Sequence, residues 1–173
     1  MIKNIVLAVD GSIPSRHAQT VAIDLASKYE AQLTLVHVLT HDHPPKEFAR
    51  MAEAELRSDS RQPRVKNQED TYSTVARFIG GASEAKEARV IALLGEEIIN
   101  KASASASKAG VANVTAEILT GDYANSILEV ARKADADIIV LGRRGLSNLK
   151  GFVTGSVSHK VSQRAECSVL TVK

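Results

Sequence analysis

Four glycines, several hydroxyls and a cluster of basic side chains crowd residues 142–160, "GRRGLSNLKGFVTGSVSHK". Glycine has no Cβ, so it reaches positive φ and lets a ligand approach the main chain, where unused N–H groups can point at an anion. Gly155-Ser156 opens a helical pattern. The first amides of a helix lack intrahelical acceptors and sit at the positive end of its dipole. Ser156 adds a hydroxyl donor, and Arg143, Arg144 and Lys150 add positive charge. The chemistry expected of this set is a grip on a phosphate chain. A second turn, Asp10-Gly11-Ser12, places a carboxylate at the end of the first apolar run. On the residues alone a plainer reading stands beside each of these. Glycine loops after strands often carry merely solvated Arg and Lys, and an Asp before a helix can simply cap it.

Other chemistries find less support. No G-x-x-x-x-G-K-[ST] occurs, which argues against a P-loop, and no G-x-G-x-x-G follows the first strand as a dinucleotide fold requires. His37 lies in an apolar strand and reads as a satisfied core residue. His17, His41, His43 and His159 lack ligand spacing, so no protein-held metal is expected. Cys167 is the sole cysteine. It rules out an internal disulfide framework and reads as a small buried hydrophobe. No Ser/His/Asp set emerges from spacing.

These residues need elements to hold them. Ile5–Val9 is a β-branched apolar run, the pattern of a strand buried on both faces. From Ser12, a candidate N-cap with Pro14 in the first turn, Ala18, Val21, Ala22, Leu25, Ala26 and Tyr29 recur at helical spacing. Residues 31–39, "AQLTLVHVL", predict a second strand. Residues 85–109 predict a helix through Ala88, Ile91, Ala92, Ile98, Ile99 and Ala102, and "VANVTAEIL" a third strand. A helix over 122–134, the strand "ADIIVLG" running straight into the glycine stretch, a helix from Gly155 to about Arg164 and the strand 168–172 complete the chain. Strand and helix alternate, which predicts a doubly wound parallel sheet, an α/β Rossmann-like fold with helices on both faces. Ligands of such sheets sit beyond the carboxyl ends of the strands, where the winding reverses. If strands one and four are neighbours, Asp10 and Gly142 face one crevice.

Residues 40–84 break the alternation. Their middle is polar, with weak helical patterns at Phe48–Leu56 and Tyr72–Ile79, and the stretch reads as an elaboration or a lid. The 173 residues otherwise suit one domain, 1–173. The net charge is +2 from 22 basic and 20 acidic residues, with no Trp, three Phe and three Tyr, so neither nucleic acid nor a membrane is an expected partner. No signal or spanning segment is evident, and a cytoplasmic location is expected.

The spacing Gly142-x2-Gly145-x9-Gly155-Ser156 resembles the G-2x-G-9x-G-(S/T) pattern of the ATP-binding branch of the universal stress protein (UspA-like) family. The likeness extends to "KNIVLAVDGS", "LTLVHV", "GDYANSILEVARKADADIIVLGRRG" and "CSVLTVK", nearly everything outside 40–84. It implies an adenine nucleotide alpha hydrolase-like sheet in the order 3-2-1-4-5, with ATP between strands one and four. It also implies roles by position. Asp10 would contact ribose or phosphates, the main chain of Val38 would read the adenine edge, and Ala8 would line the pocket. Gly142, Arg143, Gly145, Gly155, Ser156, Val157 and Ser158 would hold phosphates and ribose. One departure is Ser168, where family members often carry Pro after the position of Cys167.

The function expected is an ATP-binding stress-response or signalling module, with Mg²⁺ carried by the phosphates. The alternative is an enzyme that hydrolyses ATP or transfers its phosphoryl or adenylyl group, although no base is evident. An interaction protein with an empty loop and a flavin carrier are further readings. The strand 168–172 should lie at a sheet margin, where a second copy can pair with it as a homodimer, an expectation the family likeness supports.

Overall fold

A computed structural model of the chain describes residues 1–39, 82–146 and 155–173. The elaboration at 40–81 and its two helical patterns, together with His41, His43, Lys150 and the side chain of Ala88, lie outside the described residues.

The elements are β1 (Asn4–Ala8), α1 (Ile13–Tyr29), β2 (Gln32–Leu39), α2 (Ala82–Lys108), β3 (Val114–Thr120), α3 (Tyr123–Lys133), β4 (Ile138–Gly142), α4 (Ser156–Arg164) and β5 (Ser168–Val172). Helix α2 starts at Ala82, so the last residues of the 40–84 stretch belong to it. All strand pairs are parallel, and the sheet order is β3-β2-β1-β4-β5. The chain winds from β1 to one edge, then returns past β1 to β4. The reversal therefore falls between β1 and β4, where their carboxyl ends separate.

The alternation of side chains along each strand divides the core in two. Ile5, Leu7, Leu33, Leu35 and Val140 face α1 and α2, meeting Ala18, Ala22, Ala26, Ile99 and Ala102. Val6, Val36, Val38, Ile139 and Leu141 face α3 and α4, meeting Ala124, Ile127, Leu128, Ala131 and Val161. Alanines four apart form the inner stripe of α1, and their small size lets its axis lie close to the sheet. Helices thus cover both faces, which is why the central strands are apolar throughout.

Two caps fix the helices nearest the crevice. The Ser12 hydroxyl accepts from the Ser15 N–H at 3.2 Å and starts α1. The Asp122 carboxylate accepts from the Asn125 N–H at 2.9 Å and starts α3. Each satisfies an amide that the helix cannot.

Candidate functional site

The β1 strand stops at Ala8, and Val9 continues only far enough to donate its N–H to the Val36 carbonyl at 2.9 Å. The main chain then turns through Gly11, whose φ of 78° is the left-handed conformation that glycine tolerates. Within this turn the Asp10 Oδ1 accepts from the Ser12 N–H at 2.9 Å. The Asp10 N–H donates to the Ser15 hydroxyl at 3.1 Å. Ser12 is the helix cap, so the plain reading of Asp10 as that cap does not hold. Its second oxygen faces Gly145, where an added Cβ would lie 2.6 Å from Oδ2.

The three motif glycines are required by close approach. None of Gly142, Gly145 and Gly155 has positive φ, contrary to the expectation for such a loop. A Cβ on Gly142 would sit 2.9 Å from the Arg144 carbonyl and 2.9 Å from the Ser15 nitrogen. There the first turn of α1 presses on the end of β4. A Cβ on Gly155 would meet the Arg143 carbonyl at 3.2 Å and Arg144 Cα at 3.3 Å. The glycines let three backbone segments converge, and this convergence shapes the site.

Between these segments lies a cavity of about 370 Å³, within the range of small-molecule sites. Nine of the ten expected residues line it: Ala8, Asp10, Val38, Gly142, Gly145, Gly155, Ser156, Val157 and Ser158. Arg143 does not line it, whereas Arg144 does. Arg143 serves through its main chain: its N–H donates to the Val172 carbonyl at 2.6 Å, and its carbonyl accepts from the Gly155 N–H at 2.9 Å. The expected set also omitted Ser15, Val36, His37, Tyr123, Ile127 and Leu141, all of which contribute to the wall. Ile127 was visible in the sequence only as part of an apolar helical stripe. Its place at the crevice follows from where α3 crosses the sheet.

The two ends of the cavity differ. Val36, Val38, Tyr123, Ile127 and Leu141 make one side apolar, suited to a flat aromatic ring. The other side holds Asp10, Arg144 and the start of α4. That helix has Gly155 as its N-cap, so no side chain caps it. The N–H groups of Ser156, Val157 and Ser158 are the ones a helix cannot satisfy internally. The Gly155 N–H is already used, and the Ser158 hydroxyl donates to the Arg143 carbonyl at 2.7 Å. An anion here would meet first-turn amides and a positive dipole end.

His37 is 6 % exposed, and its Nδ1 donates to the Val9 carbonyl at 2.7 Å. A carbonyl only accepts, so Nδ1 carries the proton. Burial holds this imidazole below its ordinary range, against the opposing pull of that bond and of the Asp10 carboxylate. As expected, it is a satisfied core residue, and its ring edge also reaches the cavity wall. Cys167 lies away from the site, half-buried beside the second core, where burial pushes its thiol up. Among the described residues no group of His, Cys, Asp and Glu is arranged to hold a metal ion. Nor, among them, is any helix long and apolar enough to cross a membrane.

The universal stress protein family model matches residues 1–173. The chain is 31% identical over 173 residues to universal stress protein YxiE of Bacillus subtilis, covering 100% of both chains. It is 29% identical over 176 residues to universal stress protein MJ0531 of Methanocaldococcus jannaschii, covering 100% of this chain and 83% of that one. Among solved structures, UspA from Lactobacillus plantarum superposes with a TM-score of 0.71 at 20% identity, covering 99% of this chain and 98% of that one. A universal stress protein in complex with cAMP gives a TM-score of 0.62 at 23% identity, covering 99% and 97%. One from Archaeoglobus fulgidus in complex with dAMP gives 0.57 at 18% identity, covering 100% and 98%.

Proposed function

The chain belongs to the universal stress protein family, and from that premise we propose that its cavity binds an adenine nucleotide, with ATP as the working ligand. Occupancy then acts as a signal in a stress response, by changing the shape or the association of the protein. The observation that carries this reading is the junction of β1, β4 and α4. There an uncapped helix start, with the Arg144 segment of the loop beside it, faces an apolar slot across one cavity. That pairing of an anion cradle with a ring-sized apolar wall matches the two halves of a nucleotide. The cAMP and dAMP held by fold neighbours support the adenine class.

The adenine lies against Val36, Val38 and Ile127, with the Val38 main chain at its edge and Ala8 beneath. The phosphates take the N–H groups of Ser156, Val157 and Ser158, beside Gly142, Gly145 and Gly155. Arg143 contributes by holding this loop through its main chain. Asp10 has only acceptors to offer when ionised, so it suits ribose hydroxyls, or a Mg²⁺ ion that the phosphates bring with them. It repels bare phosphate oxygens. Pairing of two copies along β5, which lies at the sheet edge, is the association we propose.

Gently purified protein, once denatured, should release adenine nucleotide detectable by mass spectrometry, and the stripped protein should rebind ATP. A Gly155→Leu variant should do neither, because its side chain enters the space beside Arg143 and Arg144. Equal binding by that variant would reject the site.

A further inference from the structure

The Arg143 peptide is bonded on both sides, which bears on what Ser158 does. Its carbonyl accepts from the Gly155 N–H at 2.9 Å and from the Ser158 hydroxyl at 2.7 Å. A carbonyl oxygen has two lone pairs, so it is saturated. Its N–H donates to Val172 in β5. The same Ser158 hydroxyl also reaches back to the Gly155 carbonyl at 3.0 Å, a local bond that serine makes readily within a helix. Ser158 is only 3 % exposed, so water does not readily replace these bonds.

We infer that the Ser158 hydroxyl is a positioning group, a clamp that joins the end of β4 to the start of α4 and so sets the anion cradle before any ligand arrives. Its hydrogen is committed to two carbonyls, and only its main-chain N–H remains for a phosphate. Gly155 is part of the same clamp. A Cβ there would meet the Arg143 carbonyl at 3.2 Å, widening the junction that the hydroxyl closes. The clamp also reaches the sheet margin. Val172, Arg143, Gly155 and Ser158 form one chain of hydrogen bonds, so β5 and the first turn of α4 hold their relative position through a single peptide.

This inference rests on the nucleotide reading for its ligand arm and is independent of it for its other arm. In ligand-free protein, Ser158→Ala should speed amide hydrogen exchange at Gly155 about tenfold, because the acceptor of that N–H loses its second anchor. In titrations, Ser158→Ala should weaken ATP binding about three- to tenfold and leave adenosine binding unchanged, since adenosine lacks the phosphates that the cradle holds. Ser158→Thr, which keeps the hydroxyl, should restore both. Should the alanine variant fail to fold, Ser158→Cys takes its place, with a weaker donor on the same stem.

Equal losses for adenosine and ATP would overturn the inference, because a general packing defect does not distinguish them. Unchanged exchange at Gly155 would also overturn it. Wild-type protein that bound neither ligand would instead refute the nucleotide reading, and the exchange measurement would still decide the clamp.

Discussion

Gly145→Ala separates the site from the fold. The new Cβ would lie 2.6 Å from Asp10 Oδ2 and 3.8 Å from its Cγ. Ordinary contact begins at about 3.4 Å, so the carboxylate must retreat by about 0.8 Å. It is a side chain on a turn and can do so, at the expense of the 2.9 Å bond that its other oxygen accepts from the Ser12 N–H. A hydrogen bond to a charged group contributes about 1.5–3 kcal/mol where it is sheltered. Asp10 is only half-buried, so the lower end applies to folding, and Tm should fall by no more than about 6 °C. If Asp10 holds ribose or a phosphate-bound Mg²⁺, the same displacement removes a ligand bond as well, and nucleotide affinity should fall about 10- to 100-fold. Isothermal titration of four proteins tests the route: wild type, Gly145→Ala, Asp10→Ala and the double variant. With Asp10 shortened to alanine the clash is gone, so Gly145→Ala should add little in that background. A full additional loss there would refute the idea that Gly145 acts by making room for Asp10.

Gly142→Ala should act on the fold instead. Its Cβ meets backbone of both Arg144 and Ser15 at 2.9 Å, atoms that cannot swing aside, and thermal melting should report a loss of about 1–3 kcal/mol. His37 should make stability pH-dependent. The unfolded imidazole takes up a proton below about 6.5, whereas the buried one resists until lower pH. Its contribution is therefore complete above about 6.5 and is lost as pH falls toward the folded pKa. Melting curves from about pH 7.5 down to 5 should show that decline, and His37→Gln, which keeps a donor for the Val9 carbonyl, should flatten it. Pairing along β5 should give a dimer in sedimentation at micromolar concentration, and Leu170→Pro, which removes a strand N–H, should weaken it. A wild-type monomer would refute that association.

Much of this architecture was legible because local signals agreed with the fold. The apolar runs of β1, β2 and β4 and the helical stripes of α1 and α3 each follow a period that only one element satisfies. Ser12 and Pro14 marked the start of α1 because capping is local chemistry. Strand ends were less clear: β3 starts at Val114 instead of Val111, since an apolar run does not say where ladder bonding begins. The site was legible as a spacing of glycines, yet the reason for them was not. Positive φ is a property of one residue, whereas the steric demand at Gly142 comes from α1, more than 120 positions away. For the same reason Arg143 and Arg144 could not be told apart. Which of the two lines the cavity depends on how the loop after β4 lies against β5 and α4, where the Arg143 main chain bonds to Val172 and Gly155. Tyr123 and Ile127 carried no signal of their own, because their part in the wall depends on α3 crossing the carboxyl ends of the strands.

In the proposed nucleotide complex the phosphates meet the main chain at the first turn of α4. Titrating ATP into ¹⁵N-labelled protein and following its amide resonances reads this directly. The amides of Ser156, Val157 and Ser158 should shift together and saturate with one equivalent, with Gly145 following and the far end of α1 unmoved. Saturable binding that left those three amides in place, or that moved resonances elsewhere in the sheet, would contradict it.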